Sequence, residues 1–153
     1  MVLFCFLRYY KVYVFIFRHR NNRIASQLES SLDDLDNWPR MVQVAWLLYD
    51  YKGNLIESKN YIIKPEGYDI PEEATMVHGI STSKALKEGI DLKVVLEELY
   101  QQMEKVDYLV AHNMSFDEKI VGAEFLRKEI DNIIDLKKKI CTMECSTDIC
   151  MID

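Results

Sequence analysis

Between Asp107 and Glu129 the chain reads DYLVAHN and runs, through Met114, straight into SFDEKIVGAEFLRKE. The first segment is apolar and has no room for helical turns, so it predicts a buried strand ending near His112–Asn113. The second predicts a helix, with Ser115 and Glu118 in the S-x-x-E pattern of a capping box. A buried strand feeding directly into a helix restricts the chain to architectures in which helices cover a sheet.

The flanking text agrees. MVQVAWLLYD (Met41–Asp50) is rich in Val and aromatic residues and predicts a buried strand. NLIESKNYIIKP (Asn54–Pro65) predicts its partner, and YKGN between them, with Gly53 at the tight position, makes a hairpin. IPEEATMVHGIS starts with Pro71 and two acids, a helix-start pattern, and Gly79 is its expected stop. DLKVVLEELYQQMEKV (Asp91–Val106) is the clearest helix: Leu92, Val95, Leu96, Leu99 and Met103 keep helical spacing and Asp91 can cap it. KKICTM (Lys138–Met143) predicts a last strand. The order of elements predicts an α/β domain built on a mixed sheet.

The chain has 153 residues, enough for one domain, and a net charge of -6. That balance argues against a protein that clamps duplex nucleic acid over many phosphates, so any such contact is expected to be local or bridged by metal ions. Cys5, Cys141, Cys145 and Cys150 lack zinc-ligand spacing and predict free thiols in a reducing cytosol. Residues 2–17 are apolar, but Arg8 and Lys11 interrupt a run already too short to span a bilayer.

The segment VAHNMSFD (Val110–Asp117) carries the most chemistry. An acid in a helix's first turn can simply answer the helix dipole, which is the plain reading of Asp117. Its context is more specific. AHNxxFD after an apolar strand closely resembles the second motif of the DEDDh 3′–5′ exonucleases, which include the polymerase III epsilon-type proofreading subunits. VHGIS (Val77–Ser81) resembles the HGI loop of the same family, and the resemblance covers roughly Asp36 to Cys150.

The resemblance implies a ribonuclease H-like fold, incomplete here, and a hydrolase that removes nucleotides from a single-stranded 3′ end of DNA or RNA. It implies Asp117 as a ligand to Mg²⁺ or Mn²⁺, two ions in the family. His78, Gly79 and Ile80 would pack on the terminal nucleotide, and Asn113 and Phe116 would shape the site. It implies a cytoplasmic protein without a membrane partner, and it names no polymerase or repair partner.

Two departures matter. The family's first strand carries an acidic D-x-E motif, and its late H-x-x-x-x-D motif would lie beyond Asp153. Where the first motif belongs, this chain reads FRHRNNRIAS (Phe17–Ser26), with three arginines and no acid. One carboxylate cannot hold two divalent ions tightly, so the chain as written is expected to be inactive. Asp33, Asp34 and Asp36 predict a solvated loop, not substitutes.

The genetic code offers an explanation. FRHRNNRIA can be encoded so that reading one base over gives FDTETTGLP, which has the form of the missing motif. Residues 1–32 are therefore expected to be an out-of-frame segment and 33–153 a partial exonuclease domain. VYVFIF is still β-prone and is expected to fill the first-strand position, which would set Arg18 and Arg20 near Asp117. Such a domain is expected to be marginal and prone to association. Two other functions fit the same text: a non-catalytic nucleic-acid-binding module of this fold, and a small membrane-anchored protein using residues 2–17.

Overall fold

The computed structural model describes residues 14–21 and 30–150, with side chains described from 30 to 147. Most of the 2–17 run, Cys5 and the side chains of Arg18, Arg20 and Cys150 lie outside that description. Among the described residues, no helix is long and apolar enough to cross a membrane.

Five strands form one mixed sheet. They are β1 (Val14–Asn21), β2 (Met41–Tyr49), β3 (Leu55–Ile62), β4 (Tyr108–Ala111) and β5 (Lys138–Cys141), in spatial order β3-β2-β1-β4-β5. β1 runs antiparallel to β2 and parallel to β4, while β2 and β3 make the expected hairpin. Its turn places Gly53 at φ 81°, a left-handed conformation that glycine adopts without steric cost.

The segment Val14–Asn21 therefore fills the central position of the sheet, as its β-prone text predicts. Alternation explains β2: Val42, Val44, Trp46 and Leu48 are buried at every second position. α1 (Glu72–His78), α2 (Thr82–Glu88) and α3 (Leu92–Glu104) lie between β3 and β4, and α4 (Met114–Arg127) follows β4. On α3, the five residues with helical spacing are all buried, and Asp91 accepts hydrogen bonds from the backbone N–H groups of Lys93 and Val94. Leu92, Leu96, Leu99 and Met103 join Trp38, Trp46, Leu109, Ile120 and Phe125 in the main core. Each such large side chain stabilises the fold by about 1.5–3 kcal/mol.

The structure corrects two expectations and adds one element. Ser115 does not cap α4: the helix begins one residue earlier, Asn113 is the cap residue at φ 67°, and Ser115 Oγ donates to Asn113 Oδ1 at 3.2 Å. Glu118 instead pairs with Lys139 Nζ at 2.6 Å. KKICTM is a strand only as far as Cys141, because Thr142 opens a further helix, α5 (Thr142–Cys150). α2 is the added element. It is a short helix that the sequence reading passed over, capped by Ser81, whose side chain accepts from the Lys84 N–H.

The end of α2 packs tightly against the strand edge. Ile90 N donates to Ile62 O at 2.8 Å, and Lys64 N donates to Ile90 O at 2.9 Å. A Cβ at Gly89 would stand 2.2 Å from the Ala85 carbonyl oxygen and 2.6 Å from the Lys64 nitrogen, so only glycine fits.

Candidate functional site

The sheet brings two of the sequence motifs to one end. β4 is parallel to β1, so both strands finish at the same edge, and α4 starts there. β2 is antiparallel, so its first residue, Met41, stands opposite Asn21 at the close of β1. Ile80 shares a small buried cluster with Val42, the next residue of β2, together with Ile70 and Ala85. The HGI loop and the first turn of α4 therefore border the same end of the sheet, to which the basic half of β1 also runs.

Within this region Asp117 is 7% exposed. It belongs to the buried stripe of α4 with Ile120, Val121 and Glu124, at helical spacing from each. The helix dipole favours an acid in this turn whichever way it faces, so the burial of Asp117 is a further fact. This acid faces inward, one turn beyond a strand end. Phe116 is half-buried and packs on the main core.

Asn113 joins β4 to α4 in the left-handed conformation, which asparagine tolerates better than most residues. That geometry turns the chain sharply enough for α4 to start one residue later. His78 is the last residue of α1 and accepts a 3.2 Å hydrogen bond on Nδ1 from the Ile80 N–H. Gly79, at φ 74°, is the left-handed stop, and its N–H bonds Thr75 O at 2.7 Å. The imidazole thus holds the loop closed, while Ile80 anchors it in the core. The adjacent Met76 and Val77 are 74% and 87% exposed.

Cys141 was missed as a structural element of this region. Its thiol is buried, which pushes its pKa up, but N–H groups of Glu144, Met114, Asn113 and Met143 point at the sulfur and bring the net value below the ordinary range. The thiol therefore sits where α4 and α5 both begin. Beside it, His112 Nδ1 lies 3.2 Å from Thr142 Oγ1, a second link between the same two helix starts. The sequence signal was TMECSTDIC, whose helical character was masked by reading KKICTM as strand.

The "Exonuclease" (RNase_T) family profile matches residues 31–150 of this chain. The chain belongs to the RNase_T exonuclease family. Its fold is ribonuclease H-like, and the DEDDh resemblance of AHNxxFD and VHGIS stands. No curated protein matches this chain in a sequence search. Among solved structures it is similar to a product-bound exonuclease I, at 14% identity and a TM-score of 0.74, over 91% of this chain and 32% of that one. It is also similar to E. coli exonuclease I in complex with a dA16 oligonucleotide, at 16% identity and a TM-score of 0.73, over 90% and 30%. A zinc-bound E. coli exonuclease I–single-stranded DNA complex matches at 15% identity and a TM-score of 0.73, over 91% and 30%. This chain thus spans about a third of the length of those proteins, and at these identities the likeness is one of fold.

The donor set of this chain, among the described residues, does not fit a divalent metal pair. Among the described residues, no three His, Cys, Asp or Glu side chains are grouped to hold an ion. Asp117 offers a single carboxylate, whereas Mg²⁺ and Mn²⁺ call for several hard oxygen ligands. Asp33, Asp34 and Asp36 are exposed in the loop before β2, as expected of a solvated segment.

Proposed function

We propose that this chain is part of a 3′–5′ exonuclease domain that accepts a single-stranded 3′ end of DNA or RNA, and that hydrolysis is lost in the chain as written. One observation carries the reading: Asp117 is buried on the inner stripe of α4, at the strand end that the HGI loop also borders. In this reading Asp117 is the remaining ligand for Mg²⁺ or Mn²⁺. His78 and Gly79 shape the loop, and Ile80, Asn113 and Phe116 define the pocket for the terminal nucleotide. The exposed Met76 and Val77 supply apolar surface for a base. The thiols Cys141 and Cys145, both unbridged, suit the reducing cytoplasm that belongs to the same proposal.

A second reading, a non-catalytic nucleic-acid-binding module, is favoured by the lack of grouped metal ligands among the described residues. A 5′-labelled single-stranded oligonucleotide tests both readings. Binding that survives EDTA, without shortening when Mg²⁺ or Mn²⁺ is present, is the expected result. Metal-dependent shortening that Asp117→Asn abolishes would restore the catalytic reading in full. Failure to bind the oligonucleotide at all would remove both.

A further inference from the structure

The family match begins at residue 31, yet the sheet depends on a strand that lies before it. β1 pairs with β2 from Val14 to Asn21 and with β4 from Val14 to Ile16, and it alone joins the two sides of the sheet. Its first four residues, VFIF, suit a central strand, but its last four, RHRN, do not. Those four residues run on toward the end of the sheet where α4 begins. A strand whose first half reads as a sheet centre and whose second half reads as basic and polar calls for one explanation covering both halves.

We propose that residues 1 to about 32 are translated out of frame, that the frame is restored near Asp33, and that the in-frame parent carries aspartate and glutamate where this chain has Arg18 and Arg20. The inference rests on the exonuclease reading for the role of those acids, but not for the frame itself. Phe17 to Asn21 can be encoded by the synonymous codons TTT CGA CAC AGA AAC. One base over, the same string reads TTC GAC ACA GAA, which is Phe-Asp-Thr-Glu. The aspartate then takes the place of Arg18, opposite Ala45 of β2, and the glutamate that of Arg20, opposite Gln43. Two acids separated by one residue share one side of a strand. With Asp117 they would make three carboxylates at one end of the sheet, a donor set that suits Mg²⁺ or Mn²⁺.

The same mechanism explains why the strand survives. Codons with T in the second position specify Phe, Leu, Ile, Met or Val. A T-rich stretch therefore stays apolar in neighbouring frames, and GTT TAT GTT TTT ATT TTT, a string that can encode Val12 to Phe17, also yields Phe, Met and Leu one base over. β-propensity passes through the shift, whereas the charge pattern, written in mixed codons, does not.

The coding DNA tests the frame. Codons for Phe17 to Arg23 that spell Phe-Asp-Thr-Glu in the neighbouring frame are expected, and codons that cannot do so overturn the proposal. Mn²⁺ binding followed by electron paramagnetic resonance tests the site separately. The Arg18→Asp, Arg20→Glu double variant is expected to bind Mn²⁺ at least about tenfold more tightly than the chain as written, and adding Asp117→Asn should reverse the gain. Matching codons without that gain would uphold the frame and overturn the role assigned to Asp117.

Discussion

The Glu124 carboxylate accepts a 2.7 Å hydrogen bond from the backbone N–H of Met41, joining the last turn of α4 to the first residue of β2. Glu124 is fully buried, and Arg40 Nε at 3.1 Å and Arg127 at 3.3 Å balance its charge. Removing one partner of a buried ion pair leaves the others uncompensated. Glu124→Ala is therefore expected to destabilise the domain by about 3 kcal/mol, and Glu124→Gln, which keeps an acceptor for Met41, by less. Urea unfolding of the three proteins checks the order.

Gly89 yields a steric prediction. Its backbone is extended, so alanine there meets no backbone strain; the conflict is with the Ala85 carbonyl and the Lys64 backbone. Gly89→Ala should force the end of α2 away from Lys64 and break the Ile63–Ile90 bridge. A loss of about 1–3 kcal/mol is expected, with faster amide exchange at Lys64 and Ile90 as the local signature.

Tyr68 predicts an alkaline limit. Burial pushes its pKa up to about 12, against the nearby Arg40 guanidinium, which lies over its ring. Its hydroxyl donates to Met41 O at 3.0 Å. A phenol held protonated in the folded state contributes stability that is complete below the unfolded value of about 10 and is lost as pH rises toward the folded value. Thermal melts should fall more steeply above that onset for the natural chain than for Tyr68→Phe.

Cys141 has the opposite sign. Its net pKa lies below the ordinary thiol value, so between the two values the unfolded chain binds more protons and stability rises with pH. The advantage is fully present above the ordinary thiol value and is lost as pH falls through the folded one. Cys141→Ala removes the acceptor at the start of α5 and should cost about 1 kcal/mol. Comparing the melting temperatures of natural chain and variant from neutral to mildly alkaline pH tests both the sign and the size.

Elements whose signal lies within a few residues were legible in the sequence. β2 declared itself by alternation, α3 by the spacing of Leu92 to Met103, and the β2–β3 turn by Gly53. Features set by distant partners were not. Nothing near Glu124 indicates that Met41 and Arg40 meet it across the fold. The cap of α4 was misplaced because Asn113 adopts a left-handed turn that Ser115 and Glu118 gave no reason to expect. Asp117 lay between these cases. Its motif marked it, but only the buried stripe of α4 separates an inward carboxylate from an ordinary first-turn acid.

The central position of β1 governs how the chain must fold. β2 and β3 can pair early through their short turn, but β4 finds its neighbour only when the N-terminal segment returns from the far side of the sequence. Closing so long a loop is slow, and it leaves the inner edges of β2 and β4 unpaired in the meantime. The hazard for this protein therefore lies in the interval before the last strand docks. Conditions that favour intermolecular strand pairing during that interval, such as high concentration during refolding, will decide how much of it reaches the native sheet.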